Sequence, residues 1–299
     1  MNDNMLVSVV VVTYNSASTV LETLESIKQQ TYDRIELIVS DDCSKDDTVA
    51  VCQKWFKENE QRFVHSKLIT IEKNTGVCAN LNRAIAATKG EWVKEIAGDD
   101  ILLPNCIEDF VTYVSLHPEV KWLSSYMQVF RNDFRKENCI ERHSVSKRLF
   151  FDLPVNDQLK LIAKWNLIQA APNFYEVALI REVGGYDLSY SFEDYPMFLT
   201  LLEHGYKCYF LDKETVGYRV HESAFNSSGK LFKYSFVLES KRFHKERCFK
   251  YLTWWQKIGQ YSIWGLQYSL ERLNLNRDTW FLRLFYMKTH SLLRKLFNN

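Results

Sequence analysis

Val7-Ser8-Val9-Val10-Val11-Val12-Thr13-Tyr14-Asn15 is the stretch on which the reading of this 299-residue chain turns. It is a near-continuous β-branched run, the composition of a strand buried on both faces of a parallel sheet. A helix follows: Ser16 or Ser18 can cap it, and Val20, Leu21, Leu24 and Ile27 recur at the helical period. The unit then repeats. Residues 35–39 read as a second strand, and residues 46–56 as a second helix with Val49, Cys52 and Phe56 on one face. Residues 68–71 and 77–87 repeat it around an Asn74-Thr75-Gly76 turn, and residues 92–97 form a fourth strand ending at Gly98-Asp99-Asp100. Alternating strands and helices predict a parallel sheet with helices on both faces. A ligand site is then expected beyond the carboxyl ends of the strands.

Past Pro104 the pattern is mixed. Residues 105–117 read as helix and 121–130 as strand, while 131–155 is polar and reads as a loop. Short strands are expected over 177–180, 208–211 and 216–220, around a helix over 193–204. From Phe232 the chain reads as two or three amphipathic helices, the last starting at Asp278-Thr279. There is no internal repeat and no low-complexity segment.

Apolar residues make up 46% of the chain and charged residues 25%, ordinary globular values that exclude a disordered or collagen-like chain. The formal net charge of +1 argues against a nucleic-acid binder, but it conceals an asymmetry. Residues 230–299 hold 14 Lys and Arg against 4 Asp and Glu, a net of +10, together with 16 of the 43 aromatic residues. The preceding 229 residues therefore carry a net of −9. Seven scattered cysteines, never spaced Cys-x-x-Cys, read as reduced thiols of a cytoplasmic protein without a zinc site. The start Met1-Asn2-Asp3-Asn4 lacks a basic region and no 18-residue apolar stretch occurs, so neither a secretory leader nor a membrane span is expected.

Three acidic pairs fall at strand ends or helix starts: Asp41-Asp42, Asp99-Asp100 and Glu193-Asp194. Any one pair alone reads as helix-cap chemistry. Carboxylates facing one cleft repel unless a cation or donor lies between them, and Mg²⁺ or Mn²⁺ bridging to substrate phosphates is the natural neutraliser. The first strand is followed by Thr13-Tyr14-Asn15-Ser16 rather than a glycine-rich turn, which removes the dinucleotide fingerprint and the phosphate loop. No Gly-x-Ser-x-Gly elbow supports an esterase.

Taken in order, the quoted first strand, Ser26-Ile27-x-x-Gln30-Thr31-Tyr32, Ser40-Asp41-Asp42-Cys43-Ser44-x-Asp46-Asp47-Thr48, Asn74-x-Gly76, Asn82 and Lys89-Gly90-Glu91 form one pattern. Asp99-Asp100-x-x-x-Pro104, Gly184-Gly185-Tyr186-Asp187, Glu193-Asp194 and Tyr218-Arg219-Val220-His221 continue it. The pattern resembles inverting family 2 glycosyltransferases of the GT-A fold, of the bacterial surface-polysaccharide type, over about residues 5–225. The resemblance implies a Rossmann-like mixed sheet flanked by helices, with a C-terminal amphipathic helical extension. It places a catalytic domain over residues 1–228, with the nucleotide-sugar side over about 1–117 and the acceptor side over about 118–228, followed by a basic aromatic region over 229–299.

Roles carry over by position. The resemblance implies that Tyr14 lies against the nucleobase of a nucleotide-sugar donor, that Asp42 hydrogen-bonds the base or ribose, and that Asn15, Asn82, Asp100 and Glu193 belong to the substrate-binding set. Asp99 matches the last acid of the family's Asp-x-Asp motif and His221 a further ligand of Mn²⁺ or Mg²⁺. Ala97 stands where the motif has its first acid, so a usual contact is missing. Asp194 matches the catalytic base, which takes the proton of the acceptor hydroxyl as it attacks the anomeric carbon. The implied reaction moves a sugar, from a UDP-sugar, to a glycan or lipid-linked saccharide.

Two other readings stand beside it. A sugar-1-phosphate nucleotidyltransferase would need a glycine-rich, arginine-containing N-terminal loop that is absent. A catalytically silent sugar-nucleotide or glycan-binding subunit is the non-enzyme reading, encouraged by Ala97. For the tail, basic helices with Trp at their border suit an anionic membrane surface, placing the protein at the inner face of the cytoplasmic membrane. Packing onto the acidic catalytic domain, or a homodimer interface, is the competing structural reading.

Overall fold

The computed structural model describes residues 4–142, 148–220 and 229–297. Strand β1 (Val7–Thr13) is the centre of the first half, with Val7, Val9, Val10 and Val11 fully buried. Burial of each such side chain is worth roughly 1.5–3 kcal/mol, which is why the β-branched run must lie inside the sheet. Helix α1 (Val20–Lys28) buries Val20, Thr23, Leu24 and Ile27. Then come β2 (Ile35–Asp41), α2 (Thr48–Asn59), β3 (His65–Thr70), α3 (Val77–Ala87) and β4 (Trp92–Ala97). The strands β3, β2, β1 and β4 lie side by side and parallel, with Val10 opposite Ile38 on one side and Glu95 on the other.

The Lys89-Gly90-Glu91 motif explains itself here. Ser8 Oγ donates to Glu36 Oε2 at 2.5 Å, Lys89 N to the same oxygen at 2.7 Å, and Gly90 N to Ser8 Oγ at 3.0 Å. Every polar group of this buried knot is satisfied, and the knot fixes the entry of β4 beside β1. A Cβ on Gly90 would lie 2.7 Å from Ser8 N and 2.8 Å from Leu6 O, both backbone atoms that cannot yield. Gly90→Ala is therefore expected to cost about 2–3 kcal/mol in urea unfolding. A change under about 0.5 kcal/mol would show that the strands separate more freely than this packing implies.

After β4 come β5 (Ile101–Leu102), α4 (Cys106–Leu116), β6 (Trp122–Arg131), β7 (Cys139–Arg142), α5 (Arg148–Asp152) and α6 (Val155–Ile162). Next are β8 (Asn173–Glu176), α7 (Val177–Glu182), α8 (Asp194–Glu203) and β9 (Tyr209–Val220). The sheet order is β3-β2-β1-β4-β8-β6-β9-β5, with β7 on β6. The β4–β8, β8–β6, β6–β7 and β5–β9 pairs are antiparallel, so the sheet is mixed rather than wholly parallel. Trp92 and Phe110 stack on Phe174 with centroids 4.9 Å apart, tying β4 and α4 to β8.

Three local expectations are corrected. Residues 177–180 are helix α7, not strand: β8 precedes them, and Gly184 and Gly185, both at positive φ, end the turn. A short apolar run reads equally as buried strand or buried helix. Residues 208–211 and 216–220 are not two strands, because β9 runs unbroken through the polar stretch Asp212-Lys213-Glu214. The polar stretch 131–155 is not simply a loop, since it contains β7 and α5.

The chain divides into two compact units, residues 1–158 with 167–219, and residues 159–166 with 220–299. The second contains α9 (Tyr234–Phe243), α10 (Trp254–Arg272) and α11 (Trp280–Phe297). Thr253 caps α10 in a reciprocal pair with Gln256. Phe297 approaches so closely that a Cβ on Gly259 would lie 2.4 Å from it. No helix among the described residues is long and apolar enough to cross a membrane.

Candidate active site

The loops after β1 and β2 are stapled together. Asn15, left-handed at φ 54, donates its backbone N–H to Ser44 Oγ at 2.8 Å, and its Oδ1 accepts from Lys45 N at 2.8 Å. Ser16 N donates to Thr48 Oγ1 at 2.7 Å and Ala17 N to Asp46 Oδ2 at 3.0 Å. Asp41 accepts from Thr13 Oγ1 and from Ser44 N. The chain thus folds an acid-rich segment against the end of β1 by giving the Asp41 and Asp46 carboxylates donors. Tyr14 stays 50% exposed at this edge, so it is not a core aromatic.

Asp42 is buried beside it. Its Oδ2 accepts from Thr75 N at 3.0 Å and Gly76 N at 2.7 Å, and its Oδ1 from Thr75 Oγ1 at 2.7 Å and Arg83 Nη2 at 3.1 Å. Burial alone would raise its pKa, but these bonds outweigh it and hold the carboxyl below its ordinary value. Four donors match the acceptor capacity of a carboxylate. A nucleotide contact at Asp42 would share or displace one of them.

The turn after β4 is held from two sides. Thr19 Oγ1 donates to Gly98 O and Thr23 Oγ1 to Asp100 O, each at 2.7 Å. Arg219 Nε donates to Asp99 O at 2.7 Å, and Arg219 N to Asp100 Oδ1 at 2.8 Å. The guanidinium also donates to Asn132 O at 2.6 Å, pairs with Glu22, and lies 4.4 Å over the Phe134 ring. Burial and the neighbouring Asp99 push the Asp100 carboxyl up to about 8.

These residues open onto a cavity of about 280 Å³. It is lined by Ala97, Asp99 and Asp100 of the turn after β4, by Glu193 and Asp194 at the start of α8, and by Glu95, Tyr175, Tyr186 and Tyr218. Burial and the Asp194 charge push Glu193 up to about 7. Burial likewise pushes Glu95 up to about 7. A site with so many carboxyls in one enclosure suits a ligand rich in hydroxyls or one that arrives with a cation.

Of the residues singled out by sequence, the structure brings Asp99, Asp100, Glu193 and Asp194 to this cavity. Tyr14, Asn15, Asp42 and Asn82 do not line it. The Asn82 amide is taken up by Tyr186, donating to its carbonyl at 2.8 Å and accepting from its N–H at 2.7 Å. His221 lies outside the described residues. Among the described residues no group of three or more His, Cys, Asp and Glu side chains could hold a metal ion. Sequence reasoning passed over Glu95 and quoted Arg219 within a motif without giving it a role; their positions in the folded chain reveal both.

The comparisons with known proteins fit this geometry. The chain is 26% identical over 256 residues to the UDP-Glc:alpha-D-GlcNAc-diphosphoundecaprenol beta-1,3-glucosyltransferase WfaP of Escherichia coli, covering 82% of this chain and 92% of WfaP. It is 36% identical over 104 residues to the glycosyltransferase GlyG of Streptococcus pneumoniae serotype 4, covering 34% of this chain and 33% of GlyG. Against several such curated relatives the chain spans less than half of their length. Among solved structures, S. aureus TarS 1-349 in complex with UDP-GlcNAc superposes with a TM-score of 0.60 at 22% identity, covering 75% of this chain and 61% of that one. Mannosyltransferase PcManGT from Pyrobaculum calidifontis, in complex with GDP-Man and Mn²⁺, gives 0.57 at 18% identity, covering 82% and 63%. The fold is thus GT-A. The sequence model of glycosyl transferase family 2 matches residues 8–164, more than half of the chain, and the chain belongs to that family.

Proposed function

We propose that the protein is an inverting glycosyltransferase that moves a sugar from a UDP-sugar to a hydroxyl of a lipid-linked saccharide in cell-surface polysaccharide assembly. The observation that carries this reading is the meeting of the Gly98-Asp99-Asp100 turn and the Glu193-Asp194 helix start in one cavity. In the proposed step Asp194 takes the proton of the acceptor hydroxyl while that oxygen bonds to the anomeric carbon. The bond from that carbon to the diphosphate breaks on the opposite side, and the electron pair leaves with the diphosphate. Likeness to WfaP over 92% of its length supports a UDP-sugar donor and a lipid-diphosphate acceptor.

Mg²⁺ and Mn²⁺ commonly bind through one or two carboxylates plus substrate phosphates, so Asp99 with the donor's diphosphate is a sufficient start for a site. Here Asp99, with His221 as the further ligand, would hold the cation. When bound, it supplies stabilisation of the charge on the departing diphosphate. Ala97 is the observation that favours the second reading, a silent binding subunit.

Thermal unfolding with UDP, UDP-glucose, UDP-GlcNAc and GDP-mannose, with and without Mn²⁺, followed by a donor-hydrolysis assay, decides between them. A donor at 100 times its Kd should stabilise by about 2.7 kcal/mol, with hydrolysis detected. Stabilisation without hydrolysis or transfer selects the silent subunit. No stabilisation by any nucleotide overturns both readings.

The tail supports a peripheral place at an anionic membrane. Helix α11 buries no residue, exposing Trp280 at 78% along with Phe281 and Leu292, between Arg283, Lys288 and Lys295. Such a face suits the boundary of headgroups and acyl chains. Trp280→Ser with Phe281→Ser should lower sedimentation with phosphatidylglycerol vesicles about tenfold, and added salt should weaken the wild type. Equal partitioning of variant and wild type would remove the membrane from the account; a concentration-dependent mass would point to a homodimer instead.

A further inference from the structure

Glu95 is a carboxyl in the middle of β4, where the neighbouring strand positions are apolar or turned away. Lys94, fully buried, directs its Nζ to the backbone oxygens of Glu95 at 2.7 Å and Ala171 at 2.5 Å. Glu95 faces the cavity instead. Its Oε2 accepts from the Tyr186 hydroxyl, while its Oε1 is shielded from solvent and has no hydrogen-bond partner. An unpaired buried carboxyl oxygen is costly, and an apolar residue would serve the sheet better. The cost is met when something in the cavity donates to it.

The carboxyl is also well positioned for recognition. Tyr186 is anchored by both ends of the Asn82 amide, and Gly185 approaches so closely that a Cβ there would lie 2.5 Å from Asn82 Oδ1. The Gly184-Gly185 turn, both residues at positive φ, thus sets the tyrosine that sets the carboxyl. Two layers of hydrogen bonds fix on the cavity lining a carboxyl with one oxygen unpaired, as a recognition site requires.

We propose that Glu95 is a sugar-recognising residue whose carboxyl group, one oxygen of which has no partner within the protein, accepts a hydrogen bond from one ring hydroxyl of the saccharide in the cavity, selecting a free hydroxyl over a deoxy or substituted position. This rests on the reading of the cavity as a glycosyl-transfer site. The hydroxyl belongs to either the transferred sugar or the acceptor sugar, and the two are told apart by which substrate is altered. A site built around such a bond penalises an analogue lacking the hydroxyl, because the acceptor is again left unpaired.

The test uses the full chain with UDP-glucose and its monodeoxy analogues in donor hydrolysis, and a synthetic GlcNAc-diphosphate lipid and its monodeoxy analogues in transfer. The wild type is expected to lose about 10- to 100-fold in kcat/KM at one hydroxyl. Glu95→Ala should reduce that penalty to within about threefold, leaving the other positions unchanged. Glu95→Gln keeps the volume and the Tyr186 contact, so it tests the assignment even where the alanine variant fails to fold; its penalty should fall to a few-fold. A folded variant with the wild-type profile at every hydroxyl overturns the assignment while leaving glycosyl transfer intact. A wild type that turns over no nucleotide-sugar overturns both.

Discussion

Asp194→Asn is expected to lower transfer by about 10²- to 10⁴-fold, the usual contribution of a positioned general base, while changing UDP affinity less than about threefold. The substitution preserves shape and hydrogen-bonding reach but removes the lone pair that takes the proton. Asp194 is the first residue of α8, where the helix dipole favours an anion, and its side chain lines the cavity. The neighbour sharpens the assignment. Burial, with the Asp194 charge as a second cause, pushes Glu193 up to about 7, so near neutral pH Glu193 is partly protonated and less available as a base. Glu193→Gln should therefore retain more activity than Asp194→Asn. Reversal of that order would move the base to Glu193, and full turnover by Asp194→Asn would end the assignment.

The core of the nucleotide-side sheet was legible because its signals are local. The run from Val7 to Thr13 and the helical period of Val20, Leu24 and Ile27 each demand one burial pattern, and the structure supplies it. The acidic pairs were legible for a related reason: a strand's carboxyl end is a fixed place in a parallel sheet. What was not legible depends on contacts across the chain. Lys94 and Glu95 interrupt an apolar strand, and no local signal tells that Lys94 is wholly buried with two backbone carbonyls accepting its protons. Asn82 and Asn15 carry family motifs, but in the structure their side-chain amides serve the backbone of Tyr186 and of Lys45. A motif residue can be kept for the loop it holds as well as for the ligand that loop meets. Residues 177–180 fail for another reason, since an apolar tetrapeptide carries no period long enough to separate strand from helix.

Arg219 is the longest-range case, and its removal should be the most damaging single change outside the core. Its guanidinium meets Asp99 O and Asn132 O, pairs with Glu22, and covers Phe134, while its own backbone N–H holds the Asp100 carboxyl. Glu22 is half exposed, so that ion pair contributes modestly. The larger cost lies in the two carbonyls left without their charged donor and in the empty space under Phe134. Losing two charge-assisted hydrogen bonds to part-buried carbonyls costs about 2–4 kcal/mol, so Arg219→Ala should lower Tm by roughly 4–12 °C. Arg219→Lys should recover less than half of that loss, because one ammonium cannot span acceptors that a planar fork reaches together. The turn that carries Asp99 would loosen in both variants, so Mn²⁺-dependent stabilisation by UDP should weaken more than stabilisation by UDP alone. If Arg219→Ala stays within about 1 kcal/mol of the wild type, Thr19 and Thr23 suffice to hold the turn.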